Sequence, residues 1–303
     1  MAETIVTVVL PLSLAYIMFT LGIGLVPQDF LNVVKYPKAF AIGVLNQMIF
    51  LPIVGFIIAA SFGLPPVLAA GMVLLALCPG GVTTNLLAKM ANGNVALSVS
   101  LTAIVTLVSV LTLPILLNLG MNYFMGQAAP DFSILSLSFK MFLIAVVPLA
   151  LGMGLRALMP SVEERAGAAL SRLAVILFVL IVLAAIASNW ELLSANLLVL
   201  GPALVLLLVV MLLLGLISGR LAQLDPQDTT TVAIESGVQN GTLAIAVAAL
   251  VVPGEALPAL GVPGGLYGPI MYLSLLFVYY RRDTAHPLKP KTKRQSDKRP
   301  GEI

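Results

Sequence analysis

The chemistry in this 303-residue chain is concentrated in two short stretches, each set inside a long apolar run. One is Glu235-Ser236-Gly237-Val238-Gln239-Asn240-Gly241, which interrupts the run from 229 to 252. The other is Cys78-Pro79-Gly80-Gly81-Val82-Thr83-Thr84-Asn85, inside the run from 66 to 88. A carboxylate, amides and hydroxyls are expensive near the middle of a bilayer, and they usually mark an ion or substrate path. Proline and glycine at the same places loosen the helix and free backbone carbonyls, which a membrane tolerates only where protein or a cavity surrounds them. The plainer reading of 235–241 is a polar helix face packed against its neighbours. Oxygen donors of this kind suit a hard cation. With no imidazole or thiolate cluster beside them, a transition metal is disfavoured and sodium is the expected ion.

The elements that must position these groups are membrane spans. Sixty per cent hydrophobic residues, 10% charged residues and a mean hydropathy of +1.08 describe an all-α polytopic membrane protein. Nine runs are long enough to cross: roughly 5–25, 39–61, 66–88, 95–119, 141–159, 170–188, 197–219, 229–252 and 259–280. Residues 131–140 read as an amphipathic interfacial piece leading into the fifth span. Residues 1–280 are expected to form a single transporter domain, followed by a basic tail over 281–303. No basic residue precedes the first apolar run, so a cleaved signal peptide is not expected. Cys78 is the only cysteine, so an internal disulfide is excluded, and no nucleic-acid motif is present.

Charge sets the orientation. Of the sixteen Lys and Arg residues, all but Lys140 fall in loops after odd-numbered spans or in the tail. The positive-inside rule makes that side cytoplasmic, with the N-terminus outside and the C-terminus inside a cell inner (plasma) membrane. The tail chemistry suits anionic lipid headgroups, although a topology signal is the simpler role. No obligate protein partner is expected.

Gly81-Val82-Thr83-Thr84-Asn85 and Gly237-Val238-Gln239-Asn240-Gly241 share an order, Gly-Val followed by polar side chains, on spans running in opposite directions. Interrupted segments in two inverted halves are the best sequence pointer to a transporter site. Spans one to four then form one repeat and five to nine the other. On the fourth span Ser98 and Thr102 share a face, continued by Thr106 and Ser109. At about 1.5 Å per residue, Gln47, Asn85, Ser98, Thr102 and Glu235 all lie very roughly 6–15 Å from the cytoplasmic edge and are expected to converge. The competing expectation for the hydroxyls is back-bonding within their own helix.

At these residues the sequence resembles the bile acid:sodium symporter family. The matching stretches are CPGGVTTN at 78–85, NGNVALSVSLT at 92–102, IESGVQNGTLA at 234–244 and YIMFTLGIGLVPQDF at 16–30, with the context of Gln47. The resemblance runs from about residue 10 to 280. It implies two crossing broken helices, a core domain (helices about 66–119 and 197–252), a panel domain of the remaining helices, and two co-transported sodium ions. One ion would take Thr84, Asn85, Ser98, Thr102 and Glu235. The second would take Gln47, Glu235, Gln239 and the backbone carbonyls of Ser236 and Val238. Asn240, Val82 and Thr83 would face the substrate. Two departures lie at that end: Val82 follows CPGG where some bacterial relatives have Thr, and Met271-Tyr272 falls where some have His-Asn. They point away from bile acid itself and toward smaller acids such as pantoate and pyruvate.

The expected function is sodium-coupled import of a small organic anion by alternating access. The rival is an exporter of related architecture, an arsenite or auxin-type carrier not driven by sodium, for which Cys78 would be a thiol ligand. An enzyme is not expected: an intramembrane hydrolase needs a nucleophile–base pair or paired acids. The spans as read hold only Glu235, and the sole histidine, His286, is in the tail.

Overall fold

Proline, glycine and small polar caps divide the apolar runs into helices. The computed structural model describes residues 10–28, 35–252 and 258–284. The tail from His286 therefore lies outside the described residues, as does the start of the first expected span. Among the described residues all regular structure is helical. Eleven helices matter here: α1 (Leu10–Gly24), α2 (Pro37–Ser61), α3 (Pro66–Ala76), α4 (Val82–Met90), α5 (Val95–Met125) and α6 (Ile134–Leu158), then α7 (Glu163–Ser188), α8 (Trp190–Leu221), α9 (Pro226–Gly237), α10 (Gly241–Val251) and α11 (Ala259–Arg281). Seven pieces are long and apolar enough to cross a membrane: α2, α5, α6, α7, α8, the α9–α10 pair and α11. Within α1 and α3, residues 11–24 and 66–76 form shorter apolar helices.

Local signals explain the starts. Pro37, Pro66 and Pro226 stand at first helical positions, where a missing N–H leaves nothing unsatisfied. Asn94, Ser133, Asp225 and Asn240 cap α5, α6, α9 and α10 by accepting a backbone N–H two or three residues into the helix. The Ser133 cap corrects the reading of 131–140: helix α6 begins at Ile134 and runs unbroken through Lys140, so the fifth span starts earlier than expected. Asn189 alone separates α7 from α8, ending one helix and opening the next.

Helix α2 contains a π-helical turn over Asn46–Phe50, in which the Leu51 N–H reaches the Asn46 carbonyl. Pro52 follows and has no N–H to offer, so the widened turn accommodates the break in the α-helical ladder. The consequence is that Asn46 and Gln47, adjacent in sequence, are both buried.

Packing puts the least apolar span at the centre. Every residue from Asp228 to Ala248 is buried, as it must be where polar groups and unwound backbone sit at membrane depth. Helix α8 approaches α9 closely through Gly215 and Gly219, a small-xxx-small pair whose added Cβ atoms would strike Ala233 and Thr229. Helix α3 packs on α5, α2 and α11. Separately, α1 packs on α6 and α7, with Gly22 and Gly152 seated on each other's helices. The Tyr16 hydroxyl donates to the Leu170 carbonyl, and Arg156 donates to the carbonyls of Ile23 and Gly24 while pairing with Glu163 at 2.8 Å.

Candidate functional site

The site forms where two helices are interrupted. Between α3 and α4 the chain unwinds over Leu77–Gly81, and between α9 and α10 over Val238–Asn240. Helix α3 lies beside α10 and α4 beside α9, so the two interrupted pieces run in opposite senses. Their breaks meet: the Asn240 N–H donates to the Pro79 carbonyl at 2.9 Å. Two loose backbone ends are also satisfied by side chains. Asn240 Oδ1 accepts from Leu243 N–H and the Thr242 hydroxyl, and the Tyr267 hydroxyl of α11 donates to the Gly237 carbonyl.

Glu235, fully buried, is the centre. Ser98 and Thr102, one turn apart on α5, both donate to its carboxylate, Ser98 at 2.5 Å and Thr102 at 3.1 and 3.2 Å. Gln47 reaches in from α2, its Nε2 donating to the Glu235 carbonyl at 2.7 Å and to Oε2 at 3.2 Å. Thr84 Oγ1 lies 3.2 Å from Thr102 Oγ1 and donates to the Gly81 carbonyl. Asn85 Oδ1 lies 2.8 Å from Ser98 Oγ. Thus Thr84, Asn85, Ser98, Thr102 and Glu235 are brought together. The single Ser98 proton faces two acceptors, Asn85 Oδ1 and Glu235 Oε1, so these three oxygens hold more lone pairs than protons. Such a cluster suits a hard cation. The rest of the hydroxyl stripe does not join it: Thr106 and Ser109 bond back to the carbonyls of Thr102 and Thr106.

Gly80 makes room for the carboxylate, since a Cβ there would lie 2.8 Å from Glu235 Oε2 and 3.1 Å from Thr84. Around the second group of residues, Gln239 Nε2 donates to the Ser236 carbonyl at 2.8 Å, which ties that carbonyl to its own segment. Val238 is buried and its N–H continues the helix to Ile234. Among the described residues, Gln47 Oε1 and Gln239 Oε1 are buried without a hydrogen-bond partner, as are Asn46 Oδ1 and, on α11, Ser274 Oγ. Unpartnered buried acceptors are rare and call for an explanation. A cation that turned the two glutamine amides about would supply one.

Val82, Thr83 and Asn240 line a cleft of about 100 Å³ between the breaks on one side and α1 and α7 on the other. That is several times the roughly 10–15 Å³ one water requires by a similar measure. The N-termini of α4 and α10 open onto it through Val82, Thr83, Gly241 and Thr242. Among the described residues no charged side chain lines it. Met271 and Tyr272 line it too.

Three residues escaped the sequence reading. Asn46 donates to Ser218 Oγ at 2.9 Å and Ser236 Oγ at 3.0 Å, joining α2, α8 and α9. Its only signal was an amide beside Gln47, which an ordinary helix would turn away. Tyr267 was masked by an apolar, glycine-rich context. Phe178 reads from sequence as one more lipid-facing residue, yet it lines the cleft. Cys78, the thiol the arsenite reading needs, is buried with its Sγ 3.3 Å from the Leu74 carbonyl.

Residues 11–196 match the model of the Sodium Bile acid symporter family. The chain is 32% identical over 235 residues to an uncharacterized sodium-dependent transporter, YocS, of Bacillus subtilis (strain 168), covering 78% of this chain and 72% of that one. It is 28% identical to a probable sodium/metabolite cotransporter, BASS2, chloroplastic, of Oryza sativa subsp. japonica, covering 76% of this chain but about half (54%) of the rice protein. The ileal sodium/bile acid cotransporter of Homo sapiens is 27% identical over 244 residues, 80% of this chain and 69% of the human protein.

Proposed function

This chain belongs to the Sodium Bile acid symporter family, a family of transporters and not of enzymes, and on that premise we propose that it imports a small organic monoanion with two sodium ions by alternating access. The observation that carries the reading is the polar shell around Glu235, hydroxyl and amide oxygens from α4 and α5 and the Gln47 amide from α2, at the meeting of two broken helices. One ion is assigned to Thr84, Asn85, Ser98, Thr102 and Glu235. The other is assigned to Gln47, Glu235, Gln239 and the carbonyls of Ser236 and Val238. The second assignment needs the Gln239 amide to release the Ser236 carbonyl and present its oxygen. The unpartnered Oε1 atoms of Gln47 and Gln239 support it.

The substrate carboxylate sits at the N-termini of α4 and α10, beside Val82, Thr83 and Asn240. Free N–H groups and the helix dipole attract an anion there without a lysine. Two cations, the Glu235 carboxylate and one monoanion sum to zero, whereas a divalent substrate would leave a buried charge uncompensated. Helices α1, α6 and α7 form one moving unit and the remaining helices the other, with the cleft between them; this departs from the expected panel by moving the second and ninth spans, α2 and α11, which pack on α3, into the core. The opposed broken helices are the matching parts of two inverted repeats in a nine-span protein. Arg281 donates to Thr230 and the Pro226 carbonyl at the start of α9, and Asn94 holds Asp228 there. Lys89 and Arg220 stand a few residues from that end, which supports a cytoplasmic face on that side.

A thermal-shift titration of the purified chain tests the reading, since a ligand stabilises the state it binds. Sodium should raise the unfolding midpoint where potassium does not, and small monocarboxylates should raise it further only with sodium. Equal responses to the two cations would reject it.

A further inference from the structure

We propose that Phe178 sets the length of acid this carrier accepts, its ring closing the far end of the cleft against Gly268. The inference rests on the reading of the cleft as the substrate site. Helix α7 contributes Ser171, Ala174, Val175 and Phe178 to the lining, spaced so that all four share one face. Ser171 and Thr20 are shared with a second hollow of about 240 Å³, which continues past Gly24 and Gly167 to Glu163. That end is open and polar. Phe178 lies two turns away, about 10 Å along the helix at 1.5 Å per residue.

At that opposite end the surroundings are apolar. Phe178 packs with Ile181, Val182 and, across on α10, Ile245. A Cβ on Gly268 of α11 would fall 3.2 Å from Phe178 Cζ and 3.3 Å from a Val182 methyl, so the ring tip lies close over Gly268 and an added methyl there would displace it by a few tenths of an ångström. The ring therefore bridges α7 to α10 and α11 just beyond the N-terminus of α10. An acid whose carboxylate is held at Gly241 and Val82 has two directions for its tail. One leads to hydroxyls and Glu163, the other to Val175 and Phe178. An apolar tail takes the second, where each added methylene is worth burying until it meets the ring.

The test is a thermal-shift titration of the full chain in nanodiscs with sodium present, using straight-chain monocarboxylates from propionate to octanoate. Wild type should prefer a short acid. Phe178→Ala should move the preference to longer acids, raising affinity for octanoate relative to butyrate by about tenfold or more, the scale set by one methylene in a fitted pocket. Phe178→Leu keeps apolar packing on Ile181 and Val182 and should give an intermediate shift. Gly268→Ala pushes the ring into the cleft and should move the preference the other way. A chain-length profile unchanged in Phe178→Ala and Phe178→Leu overturns this inference and leaves the substrate reading standing. A series that stabilises none of the proteins overturns both.

Discussion

Asn240 and Pro79 are joined by one backbone hydrogen bond of 2.9 Å, from the N–H of one helix break to the carbonyl of the other. Pro79 cannot continue α3, and the unwound stretch it sits in leaves its own carbonyl free to steady the second break. The polar backbone at membrane depth is thus partly self-satisfied. What remains unpaired among the described residues is buried side-chain oxygen, on Asn46, Gln47, Gln239 and Ser274, and of these Gln47 and Gln239 flank Glu235.

Glu235→Ala should reduce sodium-driven uptake to background. It also removes the carboxylate acceptor of Ser98, Thr102 and Gln47, but Ser98 keeps Asn85 Oδ1, Thr102 keeps Thr84 Oγ1 and Gln47 keeps the backbone carbonyl of residue 235, so the cost per group stays below the roughly 1–3 kcal/mol of a buried donor left wholly unsatisfied. Glu235→Gln keeps the shape and some of these bonds, and serves as the folded control. Uptake in proteoliposomes, with monodispersity checked beforehand, reads the effect. Wild-type sodium dependence in either variant would remove Glu235 from the ion sites.

Gly80 and Gly81 should behave differently although adjacent. Gly80→Ala places a methyl 2.8 Å from Glu235 Oε2 and should weaken sodium binding by about tenfold or more, a loss of at least 1.4 kcal/mol. The Cβ of Gly81→Ala meets Asn240 at an ordinary 3.5 Å, and its backbone is extended, so the sodium response should survive. Sodium titrations of both variants that coincide would show that Gly80 is not seated on the carboxylate.

Asn85→Ala and Gln239→Ala should each shift the sodium titration to higher concentration, with smaller effects on the unfolding midpoint measured without sodium. Among the described residues Asn85 accepts one bond, from Ser98, between the consecutive helices α4 and α5, and Gln239 Nε2 serves a carbonyl of its own segment, so neither holds together helices distant in the chain. Asn46→Ala should do the reverse, because its amide links α2 to α8 and α9. The comparison is a thermal midpoint against a sodium half-saturation point for each variant.

Two sodium ions with one monoanion move one net charge inward per cycle. An interior-negative potential then favours uptake by about 2.3 kcal/mol per 100 mV, roughly 50-fold in accumulation limit. Protons compete for the Glu235 oxygens, so acidification should raise the sodium concentration needed for half-maximal uptake. Liposomes with an imposed potential and a pH series measure both. A monoanion flux indifferent to potential rejects the two-to-one ratio, and a sodium requirement indifferent to pH rejects Glu235 as the shared ligand.

Much of the site was legible because a carboxylate inside a broken span demands donors. Ser98 and Thr102 offered them at one-turn spacing, and Gln47 offered one at similar depth. Asn46 was hidden by geometry: neighbours on an α-helix point about 100° apart, and only the π turn before Pro52 buries both amides. Thr106 and Ser109 continued the stripe in sequence, but Glu235 sits beside the first two hydroxyls, and beyond its reach a hydroxyl bonds its own helix. The fifth span was read as starting late because Ser and Lys residues interrupt the hydropathy. The Ser133 cap and an uninterrupted backbone ladder outweigh that composition.

The single residue between α7 and α8 makes the two helices a lever with its fulcrum at Asn189. With so short a joint, their tops cannot separate, and any swing of α7 is magnified toward Glu163. One degree of rotation there carries the Glu163 end by roughly 0.7 Å over the helix length, at about 1.5 Å per residue. Phe178, nearer the fulcrum, travels less than half as far. The same swing that widens the polar mouth at Gly24 and Gly167 would therefore move the apolar end of the cleft less than half as far.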